Sequence, residues 1–172
     1  MRKNLPILFL IFSIFFPTDK AHAQSRAVQL GFGLEGNMNT AHGGAFGRSI
    51  SVDVQLFPYI VNGVILTISD DFERFTAIEP EIFARYYLPL NRIPLLSEKA
   101  LFNIKDGGFF VQGDLGVSID MGLSSNVTPR LLGGLTTGLR YPFKDGDYYV
   151  EPFLKTGYPF LFGGGLRFGC KF

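Results

Sequence analysis

The chain has 172 residues, with 19 Phe, 21 Gly, no Trp, only 18% charged residues and a formal net charge of +1. That length suits one domain, and so even a charge balance excludes the basic surface that nucleic acid binding needs. A single cysteine, Cys170, excludes an internal disulfide framework.

Residues 1–23 predict a cleaved signal peptide, which leaves residues 24–172 as one exported domain. Arg2 and Lys3 supply the positive region, Leu5 to Phe16 the apolar run, and Ala21-His22-Ala23 the small residues a signal peptidase accepts. The apolar run is about twelve residues, short of the roughly 20 a spanning helix needs. Without this segment the chain carries 13 bases and 14 acids. After Ala23 no run reaches membrane-helix length, so any insertion into a bilayer has to be by strands.

Eight stretches then alternate with a period of two. The first, Ala27 to Asn37, sets Val28, Leu30, Phe32 and Leu34 against Gln29, Gly31, Gly33 and Glu35. A polar loop, Met38 to Gly47, follows and holds His42. The second strand, Arg48 to Phe57, has Ile50, Val52, Val54 and Leu56 opposite Ser51, Asp53 and Gln55. The third, Val61 to Ser69, is the least regular, because Ile65 lies opposite Val64, Leu66 and Ile68.

In the fourth, Phe75 to Leu88, Ile78, Ile82, Ala84 and Tyr86 face away from Glu79, Glu81, Phe83 and Arg85. Pro89 to Gly108 is the longest connection, and its apolar residues from Ile93 to Ile104 recur at roughly helical spacing; a short amphipathic helix and an irregular turn are both open. The fifth strand, Phe109 to Met121, alternates cleanly, with Gln112 and Asp114 on its polar face. The sixth, Arg130 to Tyr141, carries Arg140, and the seventh, Tyr148 to Tyr158, carries Glu151 and Lys155. The last strand has Phe162, Gly164, Leu166, Phe168, Cys170 and Phe172 on one face and Arg167 and Lys171 on the other. Pro80 and Pro152 each follow a Glu inside a strand and predict bulges or edge-like kinks.

Eight antiparallel strands joined in sequence make an all-β, single up-and-down barrel long enough to cross a bilayer at a tilt. Alternation alone leaves two arrangements open. A secreted, lipocalin-like barrel would turn the apolar face inward around a ligand, whereas a transmembrane barrel turns it outward. Three features favour the second. The polar face is rich in short side chains that suit a narrow bore, its charges compensate one another, and aromatics cluster near strand ends. The interior charges expected on this basis are Glu35, Asp53, Glu79, Glu81, Asp114 and Glu151 with Arg85, Arg140, Lys155, Arg167 and Lys171.

The signal peptide, the FFVQGDLGVSI strand and the YVEPFLKTGYPFLFGGGLRFGCKF ending together resemble the small eight-stranded outer-membrane β-barrel proteins of diderm bacteria. The resemblance implies residence in outer-membrane lipid and insertion by the barrel-assembly machinery, with Phe168 and Phe172 as the terminal assembly signal. Cys170 stands where an aromatic is more usual. A monomer without cofactor or nucleic acid partner is expected.

Some barrels of this kind modify lipid A, which would need a serine and a histidine close together with an orienting acid. His42 with Ser49 or Ser51 is the available set, and no spacing fixes them against each other. The interior charges read instead as a structural network, and no sequence cluster has metal-ligand spacing. The readings that follow are a non-enzymatic outer-membrane barrel with a structural, envelope-integrity or surface-interaction role and no wide pore, a lipid-modifying enzyme, or a soluble ligand carrier.

Overall fold

The computed structural model describes residues 28–39, 43–57, 59–71, 75–89, 108–122 and 127–172. The expected signal peptide, His42 and the helical spacing between Ile93 and Ile104 lie outside the described residues.

Eight strands form the fold: β1 (Val28–Asn39), β2 (Gly43–Phe57), β3 (Ile60–Asp70), β4 (Phe75–Tyr87), β5 (Gly108–Gly122), β6 (Val127–Phe143), β7 (Tyr148–Tyr158) and β8 (Phe160–Lys171). Each pairs antiparallel with its sequence neighbour, and β8 pairs back onto β1, so the barrel is closed. Closure removes the edge that would otherwise expose a row of unpaired backbone groups. Partners can be followed from Asn37 through Gly163, Lys155, Thr136, Gln112, Arg85 and Val61 to Gln55. Gln55 adjoins Val54, the partner of Val28, so one circuit is displaced by about ten residues along β1, the stagger of strands tilted by roughly 35–45°.

Several strands run further than their alternation indicates. β1 and β2 pair from Val28↔Val54 up to Asn39↔Gly43, which turns most of the expected Met38 to Gly47 loop into ladder. Likewise β6 begins at Val127, ahead of the expected start at Arg130. Small and polar residues are poor strand formers alone, but a paired neighbour supplies their hydrogen bonds.

Pro80 and Pro152 do not make bulges. Pro80 keeps register with Leu66, yet β4 and β5 are unpaired between Ile78↔Ile119 and Glu81↔Gly116. Pro152 keeps register with Leu166, and β6 and β7 are unpaired between Gly138↔Phe153 and Tyr141↔Val150. A residue with no N–H opens the ladder on one side without inserting an extra residue. The register shifts lie elsewhere, at Met38/Asn39 and at Gln55/Phe57. The second explains why Leu56 and Phe57, adjacent in sequence, are both exposed.

The apolar face is outside. Phe32, Ile82, Leu131, Leu135 and Leu154 are exposed, with Leu131 at 68%, whereas Asp53, Arg85 and Glu151 are buried inside. A soluble carrier would have the opposite arrangement. Aromatics ring the end that carries the chain termini: Tyr59 and Tyr86 lie 6.5 Å apart, and Phe143 stacks on Tyr148 at 5.9 Å. Phe46, Tyr158 and Phe162 stand near the other end. The bore is not lined only by short side chains. Val61, Ile65, Phe83, Tyr87, Phe110 and Phe153 pack there as one cluster.

Glycines keep this bore passable for its side chains. A Cβ on Gly63 would stand 2.6 Å from the Phe83 ring, whereas one on Gly113 would meet nothing within 4 Å. Gly63→Val should therefore destabilise the detergent-folded barrel by about 1–3 kcal/mol through overpacking. Gly113→Ala should stay within about 0.5 kcal/mol of the parent, as surface changes usually do. Urea unfolding midpoints of the two variants check this.

Candidate functional site

Strand parity sends every second side chain into the bore, and register decides which of them meet. Glu151 on β7 sits at the centre of the half nearer the chain termini. Its Oε1 accepts from Arg85 Nη1 at 2.8 Å and from Arg140 Nε at 2.5 Å, and its Oε2 from Arg167 Nη1 at 3.3 Å. Three neighbouring or facing strands thus converge on one carboxylate. Asp53 is the second acid here, 3.6 Å from Arg85 and 3.5 Å from Arg140, held by charge and without a hydrogen bond. All five side chains are at most 4% exposed.

Neutral groups complete the cluster. Arg140 Nη1 donates to Gln29 Oε1, and Arg85 Nε donates to Gln112 Oε1 at 2.7 Å. The Gln112 amide passes the chain on to Asp114 Oδ1 at 2.5 Å, whose other oxygen accepts from Thr136 at 2.7 Å. Rings cover the cations: Arg140 lies 3.7 Å from the centroid of Tyr149, Arg85 4.5 Å from that of Phe110, and Arg167 5.3 Å from that of Phe153. A guanidinium over a ring face is stabilised by the ring quadrupole, more so when desolvated.

The half farther from the termini holds a second, more acidic group. Lys155 Nζ donates to Glu35 Oε1 at 2.5 Å, Asn37 donates to the same oxygen at 2.8 Å, and Phe160 lies under the ammonium at 4.3 Å. Glu79 accepts from Ser118 at 3.0 Å and from Ser69 at 3.2 Å. Asp120 pairs with Arg130 at 3.3 Å nearer the mouth.

Ten of the eleven charges expected inside are buried there: Glu35, Asp53, Glu79, Glu81, Arg85, Asp114, Arg140, Glu151, Lys155 and Arg167. They do not form one network of ion pairs. Asp114 is satisfied by neutral partners, and Glu81 is buried with no hydrogen bond or ion pair among the described residues. Lys171 is a correction. It is exposed, because it is the last residue of β8 and its level is the barrel mouth, where its backbone N–H bonds to the carbonyl of Asp147 at 2.8 Å. Sequence reasoning left out Gln29, Tyr87 and Tyr149, although each shares parity with a named charge: Gln29 with Glu35, Tyr87 with Arg85, Tyr149 with Glu151.

Ser49 and Ser51 are buried in the bore, and a Cβ on Gly31 would touch the Ser51 hydroxyl, Arg167 and Tyr149 together. The surroundings of Ser51 are thus the arginine cluster. Among the described residues no group of His, Cys, Asp and Glu has the geometry to hold a metal ion.

A closed eight-stranded antiparallel barrel with a core of ionisable side chains inside and apolar side chains outside defines the class of protein. Among solved structures, the crystal structure of Neisserial surface protein A (NspA) matches with a TM-score of 0.57 at 12% identity, covering 86% of this chain and 96% of that one. The N-terminal β-barrel domain of Pseudomonas aeruginosa OprF matches with a TM-score of 0.53 at 12% identity, covering 85% and 97%. No family model matches the sequence, and no curated protein matches it significantly.

The cluster predicts a hierarchy of variants. Glu151→Gln leaves the Arg85 and Arg140 guanidiniums facing Asp53 alone and takes the carboxylate from Arg167, and should lower stability by about 3–5 kcal/mol, the cost of breaking a buried ion pair. Lys171→Gln should change it by no more than about 0.5 kcal/mol. Equilibrium unfolding in one detergent measures both.

Proposed function

We propose that this chain is an integral β-barrel of the bacterial outer membrane, exported through a signal peptide cleaved after Ala23. Its role is structural or interactive at the cell surface and not enzymatic. One observation carries the reading: the barrel is inside out relative to a soluble one. Exposed Phe, Leu, Ile and Val cover the wall between two aromatic zones, and most of the ionisable side chains of the strands are withdrawn into the bore. Lipid is the solvent in which that arrangement is stable, and aromatic girdles at both water boundaries are its usual accompaniment. The likeness to a Neisserial surface protein agrees with this placement.

The bore argues against a wide pore. Eight strands enclose a space that side chains fill, and here Phe83, Phe110 and Phe153 share it with four cations and their acids. Barrel closure also gives the C-terminus a task consistent with an assembly signal. Phe172 donates its backbone N–H to the carbonyl of Val28 at 2.9 Å, and Phe168 pairs with Phe32 across the closing seam.

A closed membrane barrel resists SDS until heated. The chain should therefore be found in the membrane fraction and run at a different gel mobility before and after boiling. Recovery in the soluble exported fraction with no such shift would refute the reading. Phe172→Ala should reduce the heat-modifiable fraction in cells while the purified variant still folds in detergent, which separates a defect in assembly from one in stability.

A further inference from the structure

The half of the bore farther from the termini holds more acid than its cations pair. Glu35, Glu79, Glu81 and Asp120 are buried there. Lys155 pairs with Glu35 and Arg130 with Asp120, which leaves Glu79 and Glu81 without a cation among the described residues. A carboxylate withdrawn from water and left unpaired is costly enough that the group takes up a proton instead.

Glu81 is 7% exposed, and its register partners, Ile65 on β3 and Gly116 on β5, offer it no side-chain donor. The charged groups around it are Lys155 on β7, Asp114 on β5, Glu35 on β1 and Glu79 on its own strand, so three of the four are acids. Glu79 faces Lys155 and Glu35 as well, and its Oε1 lies 3.0 Å from the Ser118 hydroxyl. The same hydroxyl lies 3.2 Å from Asp120 Oδ1. A serine has one hydroxyl proton and an ionised carboxylate has none, so between two carboxylates one of these contacts lacks a hydrogen. A proton on Glu79 supplies it: Glu79 then donates to Ser118, and Ser118 donates to Asp120.

We propose that this half of the bore is a proton-binding site in which Glu79 and Glu81 each hold a proton at neutral pH. Two protons balance the two acids that have no cation. The Glu79–Ser118–Asp120 line leads the first of them toward the mouth, where Arg130 is 28% exposed. On the other side Arg85, Arg140 and Arg167 stand between the site and the chain termini, and fixed cations in a narrow bore exclude protons. The site therefore exchanges with the mouth away from the termini and is closed toward the other one.

Infrared spectroscopy of the folded barrel in detergent reads the protons directly, because a neutral carboxylic acid and a carboxylate absorb at separate frequencies. At neutral pH the parent should show the neutral-acid band at an intensity of about two groups per chain, and Glu79→Gln and Glu81→Gln should each remove about half of it. The double variant should lack the band, whereas Asp147→Asn, in the turn at the opposite mouth, should keep it whole. Glutamine copies a protonated acid, so both single variants should keep the parent's urea midpoint, while Glu35→Gln, which takes the carboxylate from Lys155, should lower it. A parent without the band at neutral pH, or a band that the double variant retains, overturns the site and leaves the membrane reading standing. If the glutamine variants do not fold, the parent's own spectrum still decides the matter.

Discussion

Glu151 is the point on which the interior depends. One carboxylate accepts from arginines on β4, β6 and β8, and each of those arginines lies over an aromatic ring. Buried ion pairs add little net stability over apolar packing, because the charges must first be desolvated. Their effect here is on register. Slipping β7 by one residue would turn Glu151 and Lys155 onto the apolar outer wall and Leu154 into the bore, reversing every side chain of the strand. The cluster thus excludes misregistered barrels far more strongly than it stabilises the correct one.

The same constraint explains how much of the fold was legible in the sequence. Period-two alternation assigns faces, and at Asp53, Arg85, Arg140, Glu151 and Arg167 the faces follow from counting residues. Alternation says nothing of level along the barrel axis. Lys171 has interior parity but stands at the mouth, and only the pairing of β8 with β1 reveals it. Strand ends were hidden for a related reason: the Gly43 to Gly47 stretch lacks strand propensity and becomes strand through pairing with β1.

Which residues meet was legible least of all. The link from Arg140 to Gln29 spans 111 positions and that from Lys155 to Glu35 spans 120. Such contacts depend on the stagger accumulated around all eight strands, and no local pattern encodes it. Phe83, Phe110 and Phe153 have interior parity, and their rings fill the space beside the guanidiniums that charged chains alone would leave. The ladder openings at Pro80 and Pro152 show a further limit, since a proline in a strand predicts lost pairing without saying on which side it is lost.

The closing seam has a kinetic consequence. Because β8 pairs with β1, the two ends of the chain must meet before the wall is complete, and the arginine cluster draws on β4, β6, β7 and β8 at once. No early subset of strands contains its own finished interior. Folding rates fall as contacting residues become more distant in sequence, so this topology makes folding slow and cooperative, with the last strand synthesised completing the structure.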